Sequence, residues 1–171
     1  MKKKAKKFNK EDIKQMLKES NAIEGVYSST ALQDAEKAWK YIAKKDFVTD
    51  KTLLHIHKIL LGRISPRIAG KFRTCDVWIG GNHKKFIDAD ILLFKVKQTL
   101  TAIDTANSFK GKKDVIAKEC HVLFEDAHPF EDGNGRVGRI LYNWHRLQLG
   151  LPIHIIKHGD DQMAYYKWFK K

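Results

Sequence analysis

Apolar residues recur at helical spacing along most of the chain. Ile13, Met16, Leu17 and Ile23 share one face of a first helix, which Asn9 can cap and Gly25 can stop. Leu32, Ala35, Trp39, Ile42 and Ala43 form a second stripe, with Ser29 or Thr30 as its N-cap. A third runs through Leu53, Leu54, His57, Leu60 and Leu61 and ends at Gly62. Residues 90–109 supply a fourth through Leu92, Leu93, Val96 and Leu100. Ile116, Cys120, Leu123, Phe124 and Ala127 predict a fifth, which Pro129 must stop near His128. In the sixth, Asn134 is the expected cap. Val137, Ile140, Leu141, Trp144 and Leu147 line one side of it, and Gly150 and Pro152 close it. A short seventh spans Ala164 to Phe169. One stretch breaks the period: FRTCDVWIGG, Phe72 to Gly81, is β-branched and aromatic between glycines and predicts a hairpin. The pattern as a whole predicts an all-α domain, a compact helical bundle carrying one small β-hairpin.

Composition narrows the class without assigning a function. A chain of 171 residues suits one domain. The expected division is a basic leader with a first helix over 1–28 and a single globular unit over 29–171. At 43% hydrophobic residues there is material for a core, which excludes a disordered chain. No apolar run approaches the roughly 18 residues that span a bilayer, so no membrane is expected. The lysine-rich start is followed by no apolar stretch, so it lacks the second half of a secretory signal. Cys75 and Cys120 form no CxxC pair, which points to a reduced, cytoplasmic setting. A net charge of +13 favours anionic partners, but its lysines are scattered along the chain, as on a solvated surface. A basic nucleic-acid-binding protein is therefore the weaker alternative. His55 and His57 form an HxH pair whose members point to different helix faces, and no HExxH accompanies them, which argues against zinc. The Gly62 to Lys71 stretch has the wrong glycine spacing for a P-loop.

The chemistry concentrates in HPFEDGNGRVGR, residues 128–139. Helix five delivers His128 at its end and Pro129 forces a turn. Gly133-Asn134-Gly135 then lets successive backbone N–H groups converge on one point at the start of helix six, an anion-binding arrangement. Arg136 and Arg139 stand three residues apart on that helix and can reach one polyphosphate. Two cations at a helix start oppose the helix dipole, a conflict that an anionic ligand relieves. Asp132 offers a hard carboxylate oxygen for Mg²⁺, and His128 is the nearby group whose unperturbed pKa suits proton abstraction near neutrality.

The segment HPFEDGNGRVGR resembles the signature HxFx(D/E)GNxRxxR of the Fic family, with a match at every specified position. Gly70-Lys71-Phe72-Arg73 with Val77-Trp78-Ile79-Gly80-Gly81 is similar to the Fic flap hairpin, and Tyr165-Tyr166 to a nucleotide-contacting tyrosine pair of some members. The resemblance implies the Fic fold and transfer of AMP from ATP to a Tyr, Thr or Ser hydroxyl of a target protein. By the same resemblance His128 is the general base, Phe130 an anchor of the loop, and Asp132 the Mg²⁺ ligand. Gly133, Asn134 and Gly135 would stabilise the α-phosphate, and Arg136 and Arg139 would position the outer phosphates. Val77, Trp78, Ile79, Gly80, Tyr165 and Tyr166 would contribute to the ATP site. The flap would hold the target as an extended strand, and a homodimer is compatible with the family. A Fic-type transferase with another nucleotide donor, or a de-AMPylating hydrolase, is the alternative; the flap lacks the proline pair that often follows it.

Ser20-Asn21-Ala22-Ile23-Glu24-Gly25 resembles the inhibitory motif (S/T)xxxE(G/N) of regulated members. The resemblance implies that Glu24, with Ser20 and Gly25, restrains the site by placing a carboxylate against Arg139, where ATP needs the guanidinium.

Overall fold

The computed structural model describes residues 9–77 and 88–169. Asn9 starts the first helix, α1 (Lys10–Ile23), by accepting the Glu11 N–H at 3.1 Å, and the helix gives way to Gly25 in the left-handed region (φ +68°). Helix α2 (Ser29–Ile42) is capped by Ser28, whose hydroxyl accepts the Ala31 N–H, one residue before the expected cap. Thr49 and Thr52 exchange side-chain-to-backbone bonds at the start of α3 (Asp50–Leu61), and Gly62 caps its end. Helix α4 (Ala89–Thr105) runs into a 3₁₀ turn, Ala106–Ser108; α5 (Lys113–Ala127) and α6 (Asn134–Gln148) follow. The chain closes with α7 (Gln162–Tyr166) and a second 3₁₀ turn, Lys167–Phe169.

Helix α6 runs through the middle, packed by α1, α2, α3 and α5. The main core joins Met16 and Leu17 of α1, Ala35, Ala38, Trp39 and Ile42 of α2, and Leu53, Ile56, Leu60 and Leu61 of α3 to Val137, Ile140, Leu141, Trp144 and Leu147 of α6. Each such large side chain, once buried, contributes about 1.5–3 kcal/mol. Helix α1 therefore belongs to the same core as the residues after it. Central position leaves α6 with no solvent face, yet it carries Arg136, Arg139, Asn143, His145 and Arg146, all buried. Buried charge without obvious need for it is the informative departure from ordinary packing.

The described residues contain no strand. Of the hairpin expected over Phe72–Gly81, residues 72–77 run as an irregular strap, and Trp78, Ile79, Gly80 and Gly81 lie outside the described residues. Among the described residues no helix is long and apolar enough to cross a membrane.

Candidate active site

The loop between α5 and α6 is fixed from several directions. Pro129 ends α5, and His128, its C-cap, adopts a left-handed conformation (φ +45°) that a non-glycine residue takes only when its surroundings hold it there. Phe130 is completely buried and stacks on His57, ring centroids 3.9 Å apart and planes 6° apart. Asn134 was expected to cap α6. Instead Gly133 occupies the N-cap position (φ +79°), and Asn134 turns its carboxamide back into the loop. Its Oδ1 accepts the Phe130 N–H at 2.9 Å and its Nδ2 donates to the Phe130 carbonyl at 2.8 Å. The amide assigned by resemblance to the α-phosphate is thus engaged with the backbone of its own loop.

The imidazole of His128 is held by its Nδ1, which lies 3.2 Å from the Glu125 carbonyl. A carbonyl only accepts, so Nδ1 carries the proton and Nε2 the lone pair. Burial lowers the His128 pKa below the ordinary imidazole value, against the opposing pull of the Glu125 hydrogen bond. A neutral ring with its lone pair on Nε2 is the form a general base requires.

Asp132 is the exposed member of the group, its side chain 60% accessible. Its Oδ1 accepts the Gly133 N–H at 2.6 Å, and its Oδ2 lies 3.8 Å from Arg136. One hard carboxylate at the rim suits a Mg²⁺ ion that takes its remaining ligands from phosphate and water.

The two arginines are in different states. Arg139 is buried and held by α1: its Nε donates to Ser20 Oγ at 2.9 Å, and its Nη2 donates to the Ser20 carbonyl at 2.9 Å and to Glu24 Oε1 at 2.7 Å. Burial alone would lower its pKa; Tyr165, Glu24 and Glu125 outweigh burial, and the net direction is upward. Arg136 is equally buried, but its Nε has no hydrogen-bond partner and Asp132 is only a distant counter-charge. Burial depresses its pKa. No side chain caps the first turn of α6, and no acidic residue lies in it. A buried guanidinium with an unmet donor beside the positive end of a helix is an arrangement that an anion completes.

Gly135 gives the Glu24 carboxylate its room, because a Cβ there would collide with Glu24 Oε1 and stand 2.9 Å from Arg139 Nη1. Gly25, by its left-handed turn, lets the chain leave α1 directly after Glu24.

Of the tyrosine pair, Tyr165 faces inward. It is 3% exposed, bonds His121 Nε2 through its hydroxyl at 2.9 Å, and lies with its ring centroid 5.8 Å from the Arg139 guanidinium carbon. Tyr166 is at the surface, its hydroxyl accepting from Gln162 Nε2 at 3.0 Å. Val77 is half-buried at the end of the described strap.

Two residues outside the motif hold the loop. Arg73 is 2% exposed; its backbone N–H donates to the Pro129 carbonyl at 3.0 Å and its Nε to the His128 carbonyl at 2.7 Å. His57 reaches the Asp132 carbonyl through Nε2 at 3.0 Å. From the sequence Arg73 reads only as part of the flap and His57 only as a member of an apolar stripe and of an HxH pair, and neither is assigned to this loop. The available signal was a histidine in the apolar stripe of α3, a polar ring that burial obliges to find partners.

The Fic/DOC family profile matches residues 47–145. Among curated relatives, the protein adenylyltransferase Fic of Culex quinquefasciatus is 34% identical over 141 residues, 79% of this chain and 27% of that protein. The protein adenylyltransferase Fic of Aedes aegypti is 32% identical over 79% of this chain and 28% of its own length. This chain therefore spans about a quarter of the length of the curated relatives it matches. Among solved structures, Fic-1 of C. elegans superimposes with a TM-score of 0.78 at 19% identity, covering 98% of this chain and 57% of that one. A Fic domain containing signaling protein from Bacteroides thetaiotaomicron gives 0.76 at 17% identity, covering 95% and 75%.

Proposed function

Since the chain belongs to the Fic/DOC family, we propose that it is a protein adenylyltransferase that moves AMP from ATP to a Tyr, Thr or Ser hydroxyl of a target protein, restrained by Glu24. The observation that carries the reading is the unequal state of the two arginines. Arg136 has an unmet donor beside an uncapped helix end, while Arg139 is occupied by a carboxylate from α1. A triphosphate supplies what the first lacks and competes for what the second holds. Curated relatives named as adenylyltransferases support AMP as the transferred group. A Bartonella effector, BepC, of similar fold (TM-score 0.54) was solved with bound AMPPNP, which supports an ATP-like donor.

In this mechanism Nε2 of His128 takes the proton of the target hydroxyl as its oxygen attacks the α-phosphorus. The new O–P bond forms as the bond from the α-phosphorus to the bridging oxygen breaks, and pyrophosphate leaves. Backbone N–H groups at the start of α6 stabilise charge on the α-phosphate, and Asn134 serves by fixing the loop that presents them. Arg136 and Arg139 align the outer phosphates with the attack. Asp132 would hold Mg²⁺, which when bound neutralises phosphate charge. The target would lie as an extended strand along the segment after Arg73.

The test is incorporation of labelled AMP. With ATP and Mg²⁺ and a cell lysate, Glu24→Gly should label itself or a lysate protein at least tenfold more than the unsubstituted chain. Adding His128→Ala should abolish that label. A mass gain on the product other than that of AMP, or equal labelling with and without His128, sinks the reading.

A further inference from the structure

His57 stands outside the motif, and its ring is completely buried. The Gly70 N–H donates to its Nδ1 at 2.9 Å, so Nδ1 must hold the lone pair. Nε2 must then carry the hydrogen, and it faces the Asp132 carbonyl at 3.0 Å. The opposite tautomer would set two N–H groups against each other at Gly70 and two lone pairs against each other at Asp132. Both ring nitrogens are thus committed, one to each of two chain segments. The ring face is committed as well, stacked on Phe130. Behind Gly133, His57 Cδ2 and Leu61 form a wall: a Cβ at Gly133 would stand 3.5 Å from the first and 2.7 Å from a Leu61 methyl.

Gly70 opens the strap that leads to Arg73, and Arg73 in turn bonds the carbonyls of His128 and Pro129. Asp132 supplies the carboxylate at the rim and, through Oδ1, orients the Gly133 amide. One imidazole therefore sets the spacing between strap and loop at Asp132, the residue whose carboxylate stands exposed at the rim. We infer that His57 is a positioning residue for the transfer reaction, holding the Asp132 carbonyl, and with it the Asp132 carboxylate and the Gly133 amide, in register with a bound triphosphate. The inference rests on the adenylyltransferase reading for its catalytic consequence, and on geometry alone for its structural one. Displacement of such groups by about 1 Å lowers transfer about a hundredfold while leaving binding largely intact.

Two substitutions divide the ring's functions. His57→Gln can place an amide nitrogen where Nε2 stands and donate to Asp132, while leaving the Gly70 N–H without its acceptor. His57→Asn can place an oxygen where Nδ1 stands and accept from Gly70, but it cannot reach Asp132. Both are made in the full chain bearing Glu24→Gly. His57→Asn should lower kcat roughly ten- to a hundredfold with little change in KM for ATP, and His57→Gln should retain kcat within about threefold of the parent. Equal kcat per folded molecule in the two variants overturns the inference.

The structural claim is read without turnover. Amide hydrogen exchange at Gly133 should quicken about tenfold or more in His57→Asn and stay near the parent rate in His57→Gln. Long-range ¹H–¹⁵N NMR of the unsubstituted chain should show His57 as the Nε2–H tautomer, a measurement that stands even where a variant does not fold. An Nδ1–H ring, or Gly133 exchange alike in both variants, overturns the inference whatever the activity. Loss of all AMP transfer from the Glu24→Gly parent, with tautomer and exchange as expected, defeats the functional reading and leaves the assignment of His57 intact.

Discussion

Gly135 is the point where loop, arginine and α1 carboxylate meet, and it has no room for an added methyl group. Its backbone needs no unusual conformation; what matters is space, because a Cβ would strike the Glu24 carboxylate and crowd the Arg139 guanidinium. Gly135→Ala should therefore destabilise the chain by about 1–3 kcal/mol, the usual cost of overpacking. In the Glu24→Gly background most of that cost should vanish, since the colliding carboxylate is gone. Denaturant unfolding of the two single variants and the double variant measures the coupling, and additive costs would show that Glu24 does not fill the space beside Gly135. The residues of this corner differ in how far they could be read in advance. His128, Asp132, Arg136 and Arg139 were legible because their chemistry is declared by residue type within twelve consecutive positions. Asn134 was legible as a motif member but not in its contacts: a side chain that folds back four residues satisfies the loop rather than a ligand. His57 lies 75 positions from the carbonyl it bonds, a separation that no local pattern encodes.

At the scale of elements, α1 grips α6 through one guanidinium. Three of the bonds made by Arg139 end on Ser20 and Glu24, so the last turn of α1 and the first turns of α6 are mechanically one unit. Ser20→Ala removes the acceptor for the Arg139 Nε and leaves a buried charged donor unmet, at a cost of about 1–3 kcal/mol. The Ser20 carbonyl and Glu24 still hold Nη2, so the helix should loosen rather than leave. Amide exchange in the last turn of α1 should quicken in Ser20→Ala, and AMP incorporation should rise to a level between the unsubstituted chain and Glu24→Gly. Unchanged exchange would mean that the hydroxyl contributes nothing to the hold. The helices themselves were legible because their apolar periodicity is strong, and their ends because glycine and proline punctuate them. Exact caps slipped by a residue: Ser28 caps α2 where Ser29 or Thr30 was expected, and Gly133 stands at the N-cap of α6 where Asn134 was expected. The strap at Phe72–Val77 reads as a strand by residue type, but Arg73 spends its backbone N–H and Nε on the Pro129 and His128 carbonyls of the α5–α6 loop and its Nη1 on the strap's own Cys75 carbonyl.

Over the whole molecule, the positive charge divides into two populations with different consequences. Among the described residues most lysines and arginines lie on the surface, whereas Arg73, Arg136, Arg139 and Arg146 are inside, Arg146 held by Asp114 and the Pro152 carbonyl and Arg136 facing the proposed phosphate site. The central helix also buries His145, 2% exposed, with neither ring nitrogen bonded. It faces a small cavity of about 120 Å³ edged by Asp46, Asp104, Asn107 and Gln148. Desolvation lowers its pKa from 6.5 to about 4. Between those two values the unfolded chain binds the proton and the folded chain does not, so this residue lowers stability as pH falls from 6.5 towards about 4. Its share of that loss is on the order of 3 kcal/mol. Glu125 acts in the opposite sense, because burial pushes its pKa up to about 8, so it favours the folded state at low pH and withdraws that support as pH rises from 4.5. The two slopes overlap and partly cancel in the unsubstituted chain, and a single acid-unfolding curve cannot separate them. His145→Leu can, because it removes one slope and leaves the other. Urea unfolding of both chains at pH 7 and at successive steps down to pH 4 should give a stability difference that moves in favour of the leucine form as acid is added, by a total on the order of 3 kcal/mol. A difference that stays constant with pH would mean that His145 is protonated alike in the folded and unfolded chain, and that water in the cavity solvates the imidazolium as well as bulk solvent does.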